Sequence, residues 1–135
     1  MATATLYFYL TKFYLPGKEK DKIYTAEDFP QVVGMDSEAI RLTLEDLNKQ
    51  YQKIKEASYV YIRWINIGIL KKRLNDYQGA EGAWLTAVDY NPDQALAYGN
   101  LADLYLYELR QYEKAEEYYK KVLTMQPDVY NHYFG

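Results

Sequence analysis

The 135-residue chain has no cysteine, one histidine (His132) and two serines (Ser37 and Ser58). Without cysteine there are no disulfides, no thiolate metal ligands and no thiol nucleophile. One histidine cannot build a histidine-rich metal site, and a Ser–His–acid arrangement has almost nothing to draw on. The glycines form no phosphate-cradling loop. The net charge is −3, without the clustered basic surface that nucleic acid needs. Glu116 and Glu117 are neighbours in sequence and do not face one another on a helix, so they read as a solvated face. The lysines of "LKKRL" end a helical pattern, where positive charge is favourable against the dipole. No window reaches the roughly 18–20 apolar residues of a membrane span. No catalytic, cofactor-binding or metal-ligating residue is therefore assigned, and the reading turns to a protein that binds without catalysis.

Tyrosine is abundant, with 17 residues against four Phe and two Trp. Its ring is apolar and its tip polar, which suits half-buried positions and interfaces. The simplest account is that tyrosines fill aromatic positions in a helical repeat. The length suits one domain, and 49% hydrophobic with 26% charged residues is ordinary for a globular chain.

The chain repeats itself. Trp64, Asn66 and Gly68 recur 34 residues later as Tyr98, Asn100 and Ala102. Tyr77, Ala80, Trp84 and Pro92 recur 35 residues later as Tyr112, Ala115, Tyr119 and Pro127. One residue is thus inserted between Ala102 and Tyr112. The turn around residues 108–110 is the expected place, because a helix interior would lose its face. Each unit holds two helical patterns. Tyr61, Trp64, Ile65 and Ile69 mark the first, and Ala80, Ala83, Trp84, Ala87 and Val88 the second. Asn75 and Asp76 supply helix-start chemistry between them. Pro92 is expected in the first turn of the next helix. Gly68, opposite Ala80 and Ala87, is expected to bring two antiparallel helices close, with the aromatic side chains at 64 and 84 on the flanks.

These positions resemble the tetratricopeptide repeat: aromatic–x2–Leu–Gly/Ala–x2–Tyr, then Ala–x3–aromatic–x2–Ala, then Pro. The first unit reads Trp64, Ile67, Gly68, Ala80, Trp84, Ala87, Pro92, with Lys71 standing where the family has Tyr. The second reads Tyr98, Leu101, Ala102, Tyr105, Ala115, Tyr119, Val122, Pro127. The resemblance covers residues 61–129. It implies an all-α, right-handed helical-repeat solenoid of antiparallel helix pairs, whose first helices line a concave surface for protein or peptide partners.

The expected organisation has four parts. Residues 1–35 hold an apolar stretch and an irregular connection, in which Ile23, Tyr24, Phe29, Val32 and Val33 are the candidate anchors. Residues 36–58 form a cap helix starting at Asp36 and Ser37, with a narrow stripe of Ile40, Leu44, Leu47, Tyr51 and Ile54. A coiled-coil dimer seam is the alternative for that stripe. Residues 59–129 are the two repeats, about 61–94 and 95–129. Residues 130–135 open a further helix or form a short cap, and the former would make the natural protein longer. The stretch "TLYFYLTKFYL" is apolar almost all round, and "PGKEKDK" follows it. It reads as the end of a membrane anchor, as a segment lying in a groove of this or a neighbouring chain, or as a buried cap helix.

The resemblance implies that the inward positions of the first helices are Ile62, Ile65, Ile69 and Lys72 in one unit and Leu96, Gly99, Asp103 and Leu106 in the other. Tetratricopeptide domains that bind chaperone tails clamp a terminal carboxylate with lysine, asparagine and arginine. Asn66 and Asn100 match one clamp position, but Ile62, Ile65 and Leu96 replace the cations, so no carboxylate clamp is expected. The face is apolar and sparsely charged, suited to an amphipathic helix or an extended apolar segment. The expected function is a non-catalytic interaction or scaffold module. The alternatives are the soluble part of a membrane-anchored assembly factor, or a self-assembling module in which residues 5–15 dock in a neighbouring chain. Partner and compartment are not legible.

Overall fold

The computed structural model describes residues 22–54, 56 and 59–128. The described residues are helical, with no strand among them. The helices are α1 (Ser37–Ile54), α2 (Val60–Arg73), α3 (Tyr77–Tyr90), α4 (Ala95–Asp103) and α5 (Tyr112–Met125), with a 3-10 turn at Ala26–Asp28 and a π turn at Leu104–Glu108. Each helix packs on the next in chain order, as a helical-repeat fold requires. Pairs α2–α3 and α4–α5 are the two units, and α1 lies against α2.

The tightest contact is within the first unit. Gly68 of α2 sits directly under the Trp84 ring of α3, and a Cβ at position 68 would collide with the indole. The indole Nε1 donates to the Ile65 carbonyl at 3.1 Å, so Trp84 is buried with its one polar atom satisfied. Trp84 therefore stands over the glycine and not on the flank of the helix pair, as the sequence had suggested. The second unit has Ala102 and Tyr119 at these positions. Tyr119 has no indole N–H; its hydroxyl donates instead to Asp103 Oδ1 at 2.5 Å.

The boundaries follow local chemistry. Asp36 caps α1, accepting from the Ala39 amide at 2.8 Å, and Asp76 caps α3, accepting from the Gly79 amide at 2.9 Å. Helix α2 ends with Asn75 in the left-handed region, φ 57°. The Asn75 amide bonds to the Lys72 carbonyl and the Asp76 amide to the Lys71 carbonyl, both at 2.9 Å, which is a Schellman ending. Pro92 does not enter the next helix. It lies in the turn between Asn91 and Gln94, and α4 starts at Ala95. The four-residue turn already places the chain over α3, so the helix needs no earlier start.

The inserted residue is absorbed inside the helix, not in the loop after it. The Leu109 amide bonds to the Leu104 carbonyl at 3.0 Å, five residues back. At the matched helix ending, the Gln111 amide reaches the Tyr105 carbonyl at 2.7 Å, enclosing one residue more than Asp76 to Lys71. Arg110, the counterpart of Asn75, is again left-handed, φ 53°. One widened turn takes up the roughly 100° that an extra helical residue adds, so the apolar face upstream and the ending downstream both survive.

In front of the repeats, the α1 stripe is used within the chain. Leu44, Leu47 and Tyr51 are buried, and Ile40 and Ile54 pack partly against the same core. Residues 22–35 are strapped across α1 and α2. The Asn48 side chain accepts from the Tyr24 amide at 2.8 Å and donates to the Tyr24 carbonyl at 3.0 Å. The Tyr24 ring stacks on Tyr51, centroids 5.1 Å apart, and Tyr51 meets Trp64 edge-on. Gln31 donates to the Leu74 carbonyl and accepts from the Asn75 side chain. Of the candidate anchors, Tyr24 and Phe29 are buried and Val32 partly so, while Ile23 and Val33 point to solvent. The stretch 5–15 and residues 130–135 lie outside the described residues.

Replacing Gly68→Ala is expected to cost about 1–3 kcal/mol, because the new methyl forces the indole out of its seat. Gly82→Ala, where the methyl meets open space on the exposed side of α3, should instead stabilise by up to about 1 kcal/mol. Urea denaturation of both variants beside the parent chain checks the pair.

Candidate binding face on the first helices

The first helices α2 and α4 leave part of their apolar surface uncovered. Ile62 and Ile69 lie seven residues apart on one side of α2, two turns of helix, and are 44% and 42% exposed. Leu96 holds the place of Ile62 on α4 and is 53% exposed. Gly99, three residues after Leu96 on α4, faces open space: a Cβ built there would touch nothing within 4 Å. Exposed branched aliphatic side chains on α2 and α4, with a small residue at Gly99, offer apolar surface and few hydrogen bonds.

The other candidates fare differently. Ile65 is buried to 3% and belongs to the core. It cannot meet a partner directly, which corrects its assignment to the face: its side chain is already covered. Lys72 pairs with Glu108 at 3.3 Å, and Asp103 accepts the Tyr119 hydroxyl. Both charges are thus engaged within the molecule. Leu106 is half-buried against the core.

Among the described residues, two buried donors have no protein acceptor: Asn100 Nδ2 and Arg63 Nε. Asn100 follows Gly99 on α4. Arg63 is turned towards α1, where its Nη1 donates to Gln50 Oε1 at 3.1 Å. The role of Arg63 was not visible in the sequence, because nothing in its spacing says that α1 packs beside it.

The π turn matters here. It places Glu108 where it pairs with Lys72 of the preceding unit; the Tyr77 phenol, whose hydroxyl donates to Asn75 Oδ1 at 3.4 Å, is raised by burial and then by the Glu108 carboxylate. Tyr105, at the start of the turn, donates to Glu81 Oε1 of α3 at 2.5 Å. Tyr61 accepts from the Ala97 amide at 3.2 Å, satisfying an orphan N–H of the first turn of α4. These bonds join one unit to the next and hold the exposed row on α2 beside the row on α4.

Among the described residues, no group of three His, Cys, Asp or Glu is placed to hold a metal ion, and no helix is long and apolar enough to cross a membrane.

Five helices stacked in order, with matched helix endings and a small residue under an aromatic ring, define a helical-repeat protein. The sequence model of the tetratricopeptide repeat matches residues 65–130, and the two units belong to that family. Comparison with curated proteins and with solved structures gave no match. Tetratricopeptide repeats generally mediate protein–protein interaction or scaffolding and are typically non-catalytic.

Burial holds the phenols of Tyr105 and Tyr119 above the usual tyrosine value, and the carboxylates of Glu81 and Asp103 beside them push in the same direction. A phenol raised on folding favours the native state below the unfolded pKa of about 10. That contribution is lost as pH rises through the folded value. Ultraviolet titration should therefore show most tyrosines ionising near pH 10 and a late-ionising fraction. Tyr105→Phe and Tyr119→Phe should each shrink that fraction, lower stability at neutral pH, and weaken the loss of stability that the parent chain shows on the alkaline side.

Proposed function

We propose that this chain is a non-catalytic interaction module that receives an apolar or amphipathic helical segment of a protein partner across α2 and α4. The observations that carry the reading are the exposure of Ile62, Ile69 and Leu96 and the open space at Gly99, with the charges of Lys72 and Asp103 already engaged. A partner's leucine or phenylalanine seated at Gly99 would remove apolar surface from water on both sides, at about 25 cal/mol per Å². The absence of a basic cluster argues against a terminal carboxylate as the main recognition element.

Two variations of this reading rest on residues 5–15, which lie outside the described part of the chain: attachment to a membrane, and docking in a neighbouring copy. Light-scattering mass of the full chain separates the second from a monomeric module.

Helical peptides selected by display on the parent chain test the site. Ile69→Asp and Leu96→Asp should each weaken such a binder by tenfold or more, about 1.4 kcal/mol, while circular dichroism stays unchanged. Binders whose affinity ignores both substitutions would place recognition elsewhere.

A further inference from the structure

The two charges of the candidate face, Lys72 and Asp103, are held inside the molecule in different ways. Lys72 meets the Glu108 carboxylate at 3.3 Å, so cation and anion cancel. Asp103 meets a neutral group, the Tyr119 hydroxyl, which donates to its Oδ1 at 2.5 Å. That bond fixes the carboxylate and leaves its negative charge whole. The second oxygen, Oδ2, has no donor among the described residues. The salt bridges among the described residues are made by other carboxylates. Burial, then Asp103 and then Tyr107 raise the Tyr119 phenol, and no cation acts the other way.

Asp103 is the last residue of α4 and is exposed. It follows Leu96 by seven residues, two turns along the same side of the helix, or about 10 Å. Two phenols accompany it. Tyr119 reaches it from α5. Tyr107, four residues on in the π turn, is 66% exposed and close enough to Tyr119 to act on its phenol. An uncompensated carboxylate beside aromatic rings suits a cation: ring faces attract it, and the fixed carboxylate accepts its hydrogen bonds. We infer that Asp103, with Tyr107 and Tyr119, seats an arginine or lysine side chain of the segment that α2 and α4 receive. The inference rests on the reading of α2 and α4 as a binding face and narrows it. The partner segment is basic as well as amphipathic, with its cation about two helical turns from the apolar side chain that meets Leu96. The first unit has Ile69 and Lys72 at the places of Asp103 and Tyr107. The seat is therefore found on the second unit, and it sets the direction in which the segment lies.

Two probes test the seat on the full chain by amide nuclear magnetic resonance: Nα-acetyl-arginine amide and its uncharged isostere, Nα-acetyl-citrulline amide. The arginine compound at millimolar concentration is expected to shift the signals of Asp103, Tyr107 and Tyr119 saturably, and the citrulline compound to leave them in place. Asp103→Asn, which keeps an acceptor for the Tyr119 hydroxyl, should remove the response. Equal responses to both compounds, or a response that survives Asp103→Asn, would overturn the inference. Helical peptides selected on the parent chain supply the second arm. They should carry arginine or lysine about two turns from an apolar anchor and lose roughly fivefold in affinity on Asp103→Asn. Added salt should weaken them on the parent chain and much less on the variant. Binders that respond to Ile69→Asp and Leu96→Asp but not to Asp103→Asn would overturn the cation seat and leave the apolar face standing. Binders indifferent to all three, beside an arginine compound that still reads at Asp103, would overturn the apolar face and with it the claim that the seat serves that segment.

Discussion

The Trp84 indole on Gly68 is the contact on which the first unit depends. It needs three things at once: no side chain at position 68, a large flat ring at 84, and a carbonyl within reach of the indole N–H. Ile65 provides that carbonyl, so a donor that would cost free energy if buried alone is satisfied. The absence of a Cβ lets the ring lie against the α2 backbone. Helices α2 and α3 then bury Ile67, Leu74, Ala80 and Ala87 completely. The second unit solves the same problem with Ala102 and Tyr119, and the phenol tip goes outward to Asp103.

The tyrosines take up a task that apolar packing alone leaves open, the fixing of one unit relative to the next. Tyr61 reaches the first turn of α4, Tyr105 reaches Glu81 of α3, and Tyr77 meets Glu108 across the same junction. The rings of Tyr61 and Tyr105 pack against the apolar layer while their hydroxyls find partners on the neighbouring unit. Tyr98, Tyr105 and Tyr118 lie together in the second unit, with Lys121 over the rings of Tyr98 and Tyr118. A phenylalanine-rich version of the same repeat would keep the burial and lose these fixed junction bonds. The π turn belongs to this set, because the extra residue serves to aim Glu108 back at Lys72.

Internal fastening of that kind also shapes the surface left over. Once Lys72, Asp103 and Glu108 are engaged within the molecule, the first helices offer mainly Ile62, Ile69, Leu96 and the space at Gly99. The face is apolar because its charges have been drawn into the scaffold.

Much of this was legible in the sequence. The 34- and 35-residue spacings, the alternation of small and aromatic residues, and the Asp36 and Asp76 caps are local or periodic properties. Local rules read them correctly: a helix start needs an acceptor for its orphan amides, and an apolar stripe must face something. Helical periodicity put Ile62 and Ile69 on one side of α2, and the repeat resemblance put Leu96 at the matching place on α4. Tertiary structure decided the rest. Ile65 shares the periodicity of Ile62 and Ile69, yet it is buried, because the covering depends on neighbours that spacing does not describe. The inserted residue entered the helix as a π turn, because the bonds to Tyr105 and Leu104 hold both its flanks in place. Pro92 stayed in the turn because α4 is positioned by its packing on α3. Periodicity defines which residues share a face; only the stacking of one helix on another decides which of those faces remains open.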